Sequence, residues 1–94
     1  MTIARTIQTQ LGNQTFVMMG ASCLIDHGDA LSFKFKGSKA ANYVKVTLDA
    51  DDTYSLAFTK IRGYDFKAVR TVDGVHADQM RAVIESTTGL YTRL

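Results

Sequence analysis

Leu31-Ser32-Phe33-Lys34-Phe35-Lys36 exchanges apolar and polar residues at every step. Period two is the signature of a half-buried strand, so Leu31, Phe33 and Phe35 face a core and Ser32, Lys34 and Lys36 face away from it. Tyr43 to Leu48 repeats the pattern, with Val44, Val46 and Leu48 inward and Tyr43, Lys45 and Thr47 outward. Between these runs, Gly37 to Asn42 reads as a loop carrying Lys39. Tyr54, Leu56 and Phe58 form the inner side of a third run that closes at Arg62-Gly63, with Ser55, Ala57 and Thr59 outside. Continued alternation predicts a fourth run with Tyr64, Phe66 and Ala68 inside and Asp65, Lys67 and Val69 outside. The short connections, including the turn-forming Asp49-Ala50-Asp51-Asp52, predict antiparallel hairpins. Phe16 to Ile25 is apolar without alternation and reads in part as a buried strand, Gly20 marking a bulge or a close approach. Asp26-His27-Gly28-Asp29 is a turn by composition, and Asp73-Gly74 a turn or helix entry.

The two ends of the chain change period. Ile3, Ile7 and Leu11 recur every four residues, the spacing of one helix face, with Thr2 to cap the start and Gly12 to end it. From His76, the positions Ala77, Met80, Val83, Ile84 and Thr87 follow helical spacing, Gly89 fits the left-handed position after a helix, and Leu90 supplies the contact that follows. The sum is an α+β fold: residues 1–94 as a single domain, with a four- or five-stranded antiparallel sheet and an N-terminal and a C-terminal helix on one face.

Composition narrows the class. A length of 94 residues allows one core, and 46% hydrophobic with 21% charged residues is a globular balance, not a disordered one. The lone cysteine, Cys23, excludes a disulfide framework and fits a reducing cytosol. No apolar run reaches membrane-spanning length, and the first residues lack the apolar stretch of a signal peptide, so no membrane association is expected. Net charge is only +2, so the distribution of charge must decide what it means.

That distribution is uneven. Lys34, Lys36, Lys39 and Lys45 fall between Leu31 and Leu48 with no acid among them. Alternation places Lys34, Lys36 and Lys45 on one sheet face, with Lys67 expected to join them and Tyr43 among them as a stacking ring. Such a face suits a phosphate backbone or an acidic protein, although lysines on an open sheet also keep it soluble. The acids Asp49, Asp51 and Asp52 form a secondary patch. They lack the glycine and distal glutamate of a calcium loop, and aspartate is favoured in turns for its local hydrogen bonds. Cys23 and His27 are too few for a structural zinc site, and Cys23 reads as a buried small hydrophobe. Met18, Met19 and Met80 read as core filling. Gly37-Ser38-Lys39 lacks the first glycine of a phosphate loop. No cofactor or metal site is expected.

Three stretches taken together, Leu11 to Ala21, Val46 to Tyr54 and Gly74 to Leu94, resemble a group of small uncharacterised proteins carried by phages and bacterial mobile elements. The resemblance implies a compact protein that works by binding, in the manner of anti-CRISPR inhibitors of host defence. It carries no catalytic residues. The expectation is therefore a non-enzymatic protein that docks on a host protein complex, one that is itself associated with nucleic acid. The alternative is a small accessory protein that binds nucleic acid through the lysine-bearing face. An exposed sheet edge makes a homodimer a separate expectation.

Overall fold

The computed structural model describes residues 3–37 and 40–89. Lys39, the Thr2 cap and the contact expected of Leu90 lie outside the described residues. The order is α1 (Ile3–Leu11), α2 (Asn13–Met19), β1 (Ser22–Asp26), β2 (Ala30–Lys34), β3 (Tyr43–Leu48), β4 (Tyr54–Arg62), β5 (Asp65–Val75), a 3-10 turn (Ala77–Gln79) and α3 (Met80–Thr88). The strands form one antiparallel meander, β1-β2-β3-β4-β5. The α+β fold expected from the pattern is the fold observed.

The core lies between the helices and one sheet face. Leu31, Phe33, Val44, Val46, Tyr54, Leu56 and Phe58 project from the strands and meet Ile7, Leu11, Phe16, Met19, Met80 and Ile84. The register brings Leu31 opposite Val46 and Val46 opposite Leu56, so the apolar positions of successive strands form continuous rows. Phe16 meets Phe33 edge-on at a centroid distance of 5.1 Å, a favoured aromatic geometry. On α3 the buried polar position is Thr88, one residue beyond the expected Thr87; its hydroxyl donates to the Ile84 carbonyl.

The segment Phe16 to Ile25, read in part as a buried strand, is divided. Phe16 to Met19 is helical, and only Ser22–Asp26 is a strand, exposed along its whole length. Two glycines make the difference. Gly12, at φ 85° and ψ 150°, breaks the chain between two helices in a conformation nearly restricted to glycine. Gly20, at φ 61°, ends α2, with the Ala21 amide donating back to the Phe16 carbonyl. The Leu11 carbonyl at the break accepts from the Thr15 hydroxyl at 2.6 Å and from Arg81 Nε at 2.8 Å, which ties α3 to the α1–α2 corner.

The alternation expected of the fourth run is also corrected. Phe58 pairs with Arg70 but Thr59 pairs with Ala68, so Val69 is an extra residue on β5. This bulge reverses the faces of everything before it. Phe66 and Ala68 share the outer face with Ile61 and Thr59, while Lys67 and Asp65 lie on the helix side with Lys60 and Arg62. Lys67 therefore does not join Lys34 and Lys45, contrary to the alternation rule. Tyr64 and Phe66 are not core residues; they are 99% and 71% exposed. Asp73-Gly74 lies inside β5, at a second irregularity opposite Ser55.

Candidate functional site

The sheet face away from the helices contributes nothing to the core cluster among the described residues. Its rows can be read from the register. One runs Ser22, Lys34, Tyr43, Thr59, Ala68; the next runs Ile25, Ser32, Lys45, Ala57, Thr71. Lys34 thus stands directly beside Tyr43, and Lys45 is two residues further along the same strand and face. Ser32 belongs to this face yet is fully buried, because His27 folds across it with Nε2 2.7 Å from the Ser32 hydroxyl. Lys36 follows β2 and is exposed, its amide donating to the Met19 carbonyl.

Beyond Thr59 the partner strand β3 ends, and β4 and β5 continue as a two-stranded arm. Lys60 lies opposite Lys67, Ile61 opposite Phe66 and Arg62 opposite Asp65. Gly63, at φ 57°, takes the first central position of the two-residue turn, where primed hairpin turns need glycine. Tyr64 is the tip. Asn42 braces the root of the arm: its side chain donates from Nδ2 to the Ile61 carbonyl at 2.8 Å and accepts the Ile61 amide on Oδ1 at 2.7 Å. A side chain here supplies both bonds that a neighbouring strand would supply. The expectation of a loop at Asn42 held no sign of this role, since the matching backbone groups lie nineteen positions away.

Two cations facing each other across a hairpin are unfavourable for stability. Lys60 faces Lys67 on this side of the arm, and Arg62 faces Asp65 next to them. This side borders an open recess of about 730 Å³ lined also by Ala40, Asp65 and Val69. Arg70, further along β5, donates from Nη1 to the Thr87 hydroxyl at 3.0 Å.

The meander sorts charge by end. Lys34, Lys36, Lys60, Arg62 and Lys67 sit where β2 and β4 finish and β5 starts, with the acid Asp65 among them and Tyr43 at the start of β3. Asp26, Asp29, Asp49, Asp51, Asp52 and Asp73 sit at the opposite end of the same strands. β4 spans Tyr54–Arg62, so the two ends are about 27 Å apart, more than twice the screening length of ~10 Å at moderate salt.

The acidic end is built as a turn. Asp51 accepts from the Thr53 hydroxyl at 2.6 Å, and these Thr53 contacts hold its carboxyl below the usual carboxylate value. Asp49 accepts the Ser55 hydroxyl, and Asp52 takes the left-handed conformation at φ 64°. Cys23 is exposed, not buried; it occupies a β1 bulge at φ 55°. Among the described residues, no group of three His, Cys, Asp or Glu is gathered to hold a metal, and no helix is long and apolar enough to cross a membrane. No protein-family model, curated protein or solved structure matches the chain.

Proposed function

We propose that the protein acts by binding, without catalysis, and that its partner is nucleic acid engaged at the basic end of the sheet. The observation that carries this reading is the segregation of charge. Lys34, Lys36, Lys60, Arg62 and Lys67 converge on one end and continue into a projecting arm. A polyanion meeting that end releases its own counterions, which supplies sequence-independent affinity. Asp65 offsets one of these charges, opposite Arg62, whereas Asp49, Asp51 and Asp52 lie beyond the screening length.

The test is fluorescence anisotropy with labelled oligonucleotides of about 15 nucleotides, single-stranded and duplex, between about 50 and 200 mM salt. Contact with three to five phosphates gives a log–log salt slope of roughly −2 to −4. Absence of binding to every oligonucleotide at the lowest salt overturns the reading.

A second reading is inhibition of a host defence complex, such as a CRISPR effector, by docking on its protein surface. Val17, Leu24 and Ile25 favour it, being exposed apolar side chains of α2 and of β1, at the rim of the sheet far from the arm. Capture from host lysate with and without nuclease separates the two: a protein partner that survives nuclease supports docking, and one that is lost supports a nucleic-acid bridge.

A further inference from the structure

The outer face at the basic end carries more than charge. The Val69 bulge turns Phe66 onto the same face as Tyr43. Tyr43 is half-buried in the sheet and Phe66 is largely exposed, so each ring is rooted in a strand and open above. Two strand spacings and two residues separate them, which places their Cα atoms about 12 Å apart. Thr59, Ala68 and Ile61 form the floor between them on this face, and Lys34 and Lys45 border Tyr43.

We infer that this face is a stacking platform for single-stranded nucleic acid, with bases lying on Tyr43 and Phe66 and phosphates meeting Lys34 and Lys45. The inference rests on the nucleic-acid reading proposed above and specifies the strand state. A flat aromatic face attracts every base but is useful only where bases are unstacked, as they are in a single strand and not in a duplex. Phosphate attraction alone accounts for Lys34 and Lys45 but not for an exposed phenylalanine on the same face, where water contact is unfavourable. Among the described residues, the chain supplies complementary charge and rings on the sheet face away from the helices, the two elements by which single strands are held without sequence preference.

The protein has no tryptophan, so Phe66→Trp introduces a single indole at the platform, which is excited selectively over the four tyrosines. Stacking of thymine or uracil oligonucleotides should quench it, and binding should remain within a few-fold of the parent. Phe66→Leu keeps the apolar volume and removes the ring; it and Tyr43→Ala should each weaken single-strand binding about tenfold, with little effect on duplex binding. Phe66 is on the surface, so its variants should keep the parent circular dichroism spectrum. Deoxyribose and ribose oligonucleotides run side by side distinguish the two sources of single strand. Salt-sensitive binding with no quenching, or a preference for duplex, overturns the platform and leaves the basic-end reading standing. Failure to bind any nucleic acid removes both. Quenching by a protein partner but not by oligonucleotides would reassign the face to protein docking.

Discussion

Gly12 shows how much of the architecture can depend on one residue. Its φ of 85° with ψ of 150° allows α1 to stop and α2 to begin without an intervening loop. A Cβ at this position would lie 2.5 Å from Arg81 Nη2, the guanidinium that also holds the Leu11 carbonyl. Gly12→Ala therefore combines backbone strain with displacement of Arg81, and should cost about 2–4 kcal/mol. Urea unfolding followed by circular dichroism checks this; a loss under ~0.5 kcal/mol would contradict the account. The sequence marked Gly12 as a helix end, which is correct, but a stop signal does not reveal that another helix follows at once. That outcome depends on Phe16 and Met19 finding Phe33 and the other apolar side chains of β2, which are distant in sequence.

At the scale of elements, β2, β3 and most of β4 were legible because alternation survives wherever pairing is unbroken. Leu31, Phe33, Val44, Val46, Leu56 and Phe58 are all buried as their period requires. β5 was legible as a strand but not as to its faces. A bulge leaves no compositional trace at Val69, and one extra residue exchanges the two sides of all that precedes it. Strict alternation therefore puts Lys67 on the wrong face and Phe66 in the core. The arm that results owes its orientation to Asn42, whose amide replaces a missing strand at Ile61. Asn42→Ala removes both bonds and should destabilise the fold by about 1–2 kcal/mol. The loss should concentrate in the arm: amide exchange of residues 60–67 should accelerate well beyond that of β3. Uniform acceleration throughout the sheet would show that Asn42 supports the whole fold and not the arm in particular.

For the whole molecule, the meander converts a sequence of modest net charge into two oppositely charged ends. Local reading found the lysine-rich stretch and the acidic turn but not their separation, which needs the strand order. Neutralising Asp49, Asp51 and Asp52 together to Asn should change nucleic-acid affinity less than threefold, because that end lies beyond the screening length. Replacing Lys34, Lys67 and Arg62 together with Gln should lower affinity by at least tenfold and flatten the salt slope by about 2. Anisotropy titrations at matched salt decide it; equal effects from both sets would mean that overall charge, not its placement, governs binding. The same strand order leaves β1 and β5 as the rims of the sheet, and both are irregular. β1 is broken at Cys23, and β5 is in register only over 65–68 and again over 70–72. Fibril-forming segments need six or seven consecutive residues presenting an even row of amides and carbonyls. Neither rim offers that length, so the bulge that turns Phe66 outward for binding also makes the strand beside it a poor template for aggregation.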